Sequence, residues 1–121
     1  MEIKKELPEP RSSLISATTA GTLVGILVTP VALLLSIMSA GAGHGNYLAA
    51  KFLYPYSMVS TYFFESIMLP FVVLAFVQYP VYGCLFGRAY VAKKERFAAW
   101  SVCVLHVVCV VLLYFHPPLY F

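Results

Sequence analysis

Residues 62–87 read YFFESIMLPFVVLAFVQYPVYGCLFG, an apolar run in which Glu65 and Gln78 are the only charged or amide side chains. A helix of a water-soluble core keeps one polar face, and this stretch has none. Its length meets the ~20 residues that a helix needs to cross hydrocarbon. The stretch is therefore expected to span a membrane.

Two further runs, 18–40 and 97–115, have the same character. The fold class is therefore an all-α integral membrane protein with three transmembrane helices over 18–40, 62–87 and 97–115. They form a single membrane domain. A tail (1–13), a first loop (41–61), a basic loop (88–96) and a final tail (116–121) complete it. Strands of a membrane barrel would alternate apolar and polar residues, whereas residues 107–113, VVCVVLL, do not alternate at all. Hydrophobic residues make up 61% of the 121 and charged ones 11%. Soluble domains carry roughly 25% charged residues, so no separate soluble domain fits beside the three spans.

Lys and Arg number eight against five acidic residues, a formal charge of +3. Lys4, Lys5 and Arg11 precede the first span; Arg88, Lys93, Lys94 and Arg96 separate the second from the third; only Lys51 falls in the first loop. Because basic loops stay on the cytoplasmic side, the N-terminus and second loop are expected there and the C-terminus on the opposite side. The bases flank spans and form no stripe on a soluble face, which excludes nucleic acid as the expected partner. Arg88, Lys93, Lys94 and Arg96 are expected instead to meet lipid headgroups.

Small residues mark where helices approach closely. Gly21 and Gly25 form a GxxxG pair that Ala32 and Ser36 extend along the first span, and Gly83 and Gly87 form a second pair. The packing they predict is either within the chain or against a partner. Pro70 and Pro80 predict kinks in the second span. Residues 1–11, with Pro8 and Pro10, are expected to stay outside the first helix, which Ser12 or Ser13 would cap. The run 41–47, GAGHGNY, predicts a tight turn. Asn46 then caps a short helix over 47–54 that stops at Pro55 and is expected to lie in the outer interface. There Lys51 snorkels, and Tyr47, Phe52, Tyr54 and Tyr56 sit at headgroup depth. Tyr62, Phe63, Phe64, Tyr114, Phe115, Tyr120 and Phe121 are expected in an outer aromatic belt, and Tyr82, Phe86, Tyr90, Phe97 and Trp100 in an inner one. The apolar run before Ala40 exceeds a usual signal-peptide core, so it is read as a span despite the small residues that follow it.

Gln78 and His106 each stand nine residues from the cytoplasmic end of their span, Gly87 and Phe97 respectively. At 1.5 Å per residue both lie ~14 Å deep. They are expected to bond each other, with Thr29 nearby, as structural glue in preference to a proton relay. Cys103, His106 and Cys109 are spaced by three and fan around their helix, so with Cys84 the cysteines are read as free thiols. At the outer face His44, Glu65 and His116 form an inventory for zinc or iron, and Met38, Met58 and Met68 are soft ligands for copper. His44 and His116 together would suit a bis-histidine haem. No resident cofactor is predicted; haem or copper at that face is the alternative. No catalytic constellation is present in the sequence, so an enzyme is not expected. The expected function is that of a small accessory subunit that stabilises or assembles a larger integral membrane complex with unlike transmembrane subunits. The alternatives are a homo-oligomeric proton or ion channel or transporter using Glu65, Gln78 and His106, and a metal- or haem-binding redox component. A bacterial inner membrane, an organellar membrane and a plasma membrane suit this composition equally.

Overall fold

A computed structural model describes residues 10–41, 45–64 and 67–115, and every regular element among them is helical. The order is α1 (Pro10–Ala40), α2 (Leu48–Leu53), α3 (Pro55–Met58) running into a 3₁₀ turn (Val59–Tyr62), α4 (Leu69–Val91) and α5 (Glu95–Phe115). α1, α4 and α5 are long and apolar enough to cross a membrane. The 23 residues of α4 and the 21 of α5 span ~34 and ~32 Å, against a hydrocarbon thickness of ~30 Å.

Helix boundaries differ from expectation at several points, each for a local reason. α1 starts at Pro10, whose fixed φ and missing amide suit a first turn, so Ser12 and Ser13 lie inside the helix. α4 starts seven residues later than residue 62 because Pro70 occupies its first turn. Pro70 therefore begins a helix, and the prolines inside α1 and α4 are Pro30 and Pro80. α4 also runs on to Val91, past the expected end at Gly87. It closes through a left-handed Lys93 (φ 53). The Lys93 amide bonds the Tyr90 carbonyl at 3.1 Å, and the Lys94 amide bonds that of Ala89 at 2.8 Å. This paired ending satisfies the last carbonyls of a helix. α5 starts two residues early, at Glu95, where a carboxylate suits the positive helix end.

α1 and α4 pack antiparallel through their glycines. A Cβ at Gly83 would strike the Gly21 carbonyl, and one at Gly21 the Gly83 carbonyl. One at Gly87 would come within 2.7 Å of the Ala17 carbonyl carbon, and one at Gly25 within 2.7 Å of Pro80 Cα. The two GxxxG pairs thus face each other across one backbone-to-backbone crossing. Farther along α1, Ala32 and Ser36 are buried against both α4 and the segment that follows α1. Ala32 clusters with Tyr54 and Ala75, and Ser36 lines a cavity with Ala50, Tyr54, Ser57 and Met58. That half of the stripe receives the α2–α3 segment beside the first turns of α4.

This segment folds inward between the long helices. The Gly45 amide bonds the Ala40 carbonyl at the end of α1, yet the Tyr54 hydroxyl donates to the Thr29 carbonyl at 3.1 Å. Thr29 is eleven residues before Ala40 (40 − 29), or ~16 Å down the helix. α3 and the 3₁₀ turn then climb back, and Tyr62 donates to the Leu112 carbonyl near the end of α5. The segment expected to lie flat at the helix ends is thus a hairpin reaching their middle. Tyr54, expected at headgroup depth, is only 3% exposed. The physical reason is that the break between α2 and α3 leaves carbonyls bare, and side-chain donors for them stand at mid-height.

Burial runs opposite to that of a water-soluble protein. Thr29, Ser36, Ser57, Ser60, Thr61 and Gln78 are buried, while Leu27 and Ile37 are 71% and 68% exposed. Large aliphatics facing outward and small or polar residues packed inside suit a chain surrounded by hydrocarbon.

Candidate functional site

The polar groups gather where α2 ends. A helix leaves its last carbonyls without amide partners, and here Pro55 starts a new helix with no N–H to offer. Ala50 recovers a bond from the Tyr54 amide at 2.8 Å. Phe52 and Leu53 are served from other helices. His106 Nε2 lies 2.7 Å from the Phe52 carbonyl. The Leu53 carbonyl accepts twice, from Gln78 Nε2 at 2.9 Å and from the Tyr79 hydroxyl at 2.8 Å. Two consecutive carbonyls of the hairpin tip are therefore clamped by α4 and α5.

Those acceptors fix the donors' orientation. A carbonyl can only accept, so His106 Nε2 donates to it, and in the neutral ring Nδ1, 3.1 Å from the Tyr82 hydroxyl, is then the acceptor. The same reasoning turns the Gln78 amide nitrogen toward Leu53. Its other end, Oε1, is buried and has no hydrogen-bond partner among the described residues. Aromatic rings seal the junction edge to face: Tyr54 on Tyr79 at 5.4 Å, Tyr79 on Tyr82 at 6.0 Å and Tyr56 on His106 at 5.9 Å.

Thr29, Gln78 and His106 surround the same hairpin tip but do not bond one another. The Thr29 hydroxyl returns to the Gly25 carbonyl at 2.8 Å, a common fate of hydroxyls inside helices. The Gln78–His106 bond is replaced by two parallel bonds to neighbouring carbonyls. Tyr82, expected in the inner belt, instead orients His106. Tyr54 and Tyr79 were not singled out as site residues at all, and neither was the lower hairpin. There Ser57 donates to the Phe71 carbonyl at 2.8 Å and Ser60 to that of Ser57 at 2.8 Å. The hydroxyl-rich run YPYS at 54–57 and STY at 60–62 was the available signal.

Cys84, Cys103 and Cys109 are free thiols. Among the described residues no three His, Cys, Asp or Glu side chains converge as metal ligands. His44, Glu65 and His116 lie outside the described residues. Arg88, Lys93, Lys94 and Arg96 are all exposed around the α4–α5 turn. The antiparallel crossing brings that turn to the same end as the start of α1.

A second feature, an apolar groove beside two helix-interior prolines, faces outward. Pro30 and Pro80 supply no amide to the carbonyls four residues earlier, those of Ile26 and Phe76. Both residues line one shallow groove of about 240 Å3 between α1 and α4, together with Thr29, Leu33 and the two prolines. Ile26 and Phe76 are 50% and 55% exposed, so the groove opens on the outer surface.

No family model, curated protein or solved structure matches this chain. Its chemistry is read from the geometry alone.

Proposed function

We propose that the chain is a three-span membrane subunit that stabilises or assembles a larger complex with an unlike transmembrane partner. In this reading α1, α4 and α5 cross the bilayer, the α4–α5 turn faces the cytoplasm by the charge rule, and the α2–α3 hairpin is a re-entrant segment entering from the other side. Irregular backbone at such depth is tolerated only inside protein, and the clamps on Phe52 and Leu53 meet that condition.

The observation carrying the proposal is the outward groove at Pro30 and Pro80. Lipid tails have no donor for the Ile26 and Phe76 carbonyls, and each unserved backbone group in hydrocarbon is disfavoured by several kcal/mol. A donor on a neighbouring transmembrane helix answers that need. Another copy of this chain is poorly equipped to supply it. Its amide, imidazole and phenol donors at that height, on Gln78, His106, Tyr54, Tyr79 and Tyr82, are already engaged inside the fold. Purification from native membranes in mild detergent, followed by native mass spectrometry, is expected to return a stable assembly with a different membrane protein. That assembly weakens in Pro80→Ala, which restores the missing amide. A ring of identical chains as the sole assembly would sink the proposal.

One observation favours a second reading, a proton or ion pathway through the junction: Gln78 Oε1 is a buried acceptor with nothing to accept from. A passing water or cation would occupy it. In liposomes of purified protein, that reading requires an ion flux that Gln78→Leu and His106→Ala both abolish. Flux indistinguishable from protein-free liposomes rejects it.

A further inference from the structure

The ending of α4 does more than stop a helix. Its two return bonds, from Lys93 to Tyr90 and from Lys94 to Ala89, draw Lys94 back over the last turn of α4, where Arg88 stands. Arg88 and Lys94 consequently line one groove of about 520 Å3, whose walls include Leu14 of α1, Leu85 of α4 and Phe97 and Val102 of α5. That volume is within the ~300–1,000 Å3 typical of small-molecule sites. Ser101 also lines it, with its hydroxyl returned to the Phe97 carbonyl at 2.9 Å. No acidic side chain among the described residues lines the groove. Across residues 88–96, four bases and one acid give a charge of 4 − 1 = +3. The acid, Glu95, sits in the first turn of α5 outside the groove.

We propose that this groove binds an anionic phospholipid, its phosphate held by Arg88 and Lys94 and one acyl chain laid along the apolar walls between α4 and α5. Two cations at the mouth of a hydrocarbon-lined slot match the two halves of such a lipid and of no free anion. Exposed bases alone attract a charged bilayer diffusely; the slot adds a shape that only a chain-bearing molecule fills. The inference rests on the membrane location proposed above and not on the protein partner.

The test uses the full chain in mild detergent, with native mass spectrometry counting retained phosphatidylglycerol and phosphatidylcholine of identical chains. Phosphatidylglycerol is expected to be retained at least ~10-fold better, and R88Q/K94Q to lower its retention about 30-fold. K93Q/R96Q removes as much charge outside the groove and is expected to leave retention within about threefold. Ala98→Leu, which narrows the groove without touching a charge, is expected to expel the lipid while leaving thermal unfolding unchanged. Equal retention of the two lipids, equal losses in the two double variants, or competition by chain-free glycerol phosphate as strong as by the lipid would each overturn the proposal. Recovery of the chain in the membrane or aqueous fraction tests the location separately.

Discussion

Gly83→Ala is expected to destabilise the chain by about 1–3 kcal/mol, although it adds a single methyl group to a residue that is not fully buried. The methyl carbon would be placed on the Gly21 carbonyl, with the Thr22 amide nitrogen 3.2 Å away. Both obstacles are backbone, so no rotamer change relieves them, and α1 and α4 must separate. Helices in a bilayer associate through close packing, without a hydrophobic drive between them. Separation therefore weakens contacts along the whole crossing from Ala17 to Pro80. Gly21→Ala is expected to act alike, and the double variant to cost less than the sum, because the gap opened for one methyl admits the other. Gly41 is the contrast. It has open space around it and φ +51, so alanine there acts through backbone conformation alone. Denaturation in detergent micelles, followed by circular dichroism, measures all four; effects at Gly21 and Gly83 that are small and additive would mean that the helices do not meet there.

The three long helices were legible because residues such as those of 69–77 are apolar on every side, and only a spanning or fully enclosed helix tolerates that. The hairpin was not legible from the same signal. Hydropathy reports how apolar a stretch is, and Tyr62, Phe63, Phe64, Ile67 and Met68 are as apolar as the helix that follows them. The expected helix therefore ran back to Tyr62, across a proline that in fact opens α4. That Gln78 and His106 approach one place was legible, since both reach adjacent carbonyls of the hairpin. Their partners were not, because each bonds or is bonded through backbone carbonyls, and every residue has one. Which carbonyl is bare depends on where α2 breaks, and Tyr54 (φ −130, ψ 53) marks that break only in three dimensions. The small residues were legible as contact points, while the addition of the hairpin to α4 as a neighbour of Ala32 and Ser36 followed from the fold.

Gln78→Leu and Tyr79→Phe are each expected to have a small effect and together to release the hairpin. Both side chains donate to the same Leu53 carbonyl, so removing either leaves the other in place. Single hydrogen bonds within membrane proteins average about 0.6 kcal/mol in such comparisons. For Gln78→Leu even that loss is offset, because the change also removes the buried, unpartnered Oε1, whose lost hydration disfavours the native fold. With both donors gone, Leu53 keeps a buried acceptor with no side chain to serve it, a state that costs about 1–3 kcal/mol. The double-mutant cycle should therefore show a coupling of roughly 1–2 kcal/mol, well outside simple additivity. His106→Ala sharpens the comparison. Among the described residues the Phe52 carbonyl has His106 as its side-chain donor, so this single change is expected to match the double variant. Release of the hairpin has its own readout: a cysteine placed at Ala50, in a background where the three native cysteines are serine, should react faster with a water-soluble maleimide in Q78L/Y79F and in His106→Ala than in either single variant at position 78 or 79. Equal labelling in all of them, with additive stabilities, would mean that the hairpin is held by its serines and apolar packing and that the mid-height clamps do not anchor it.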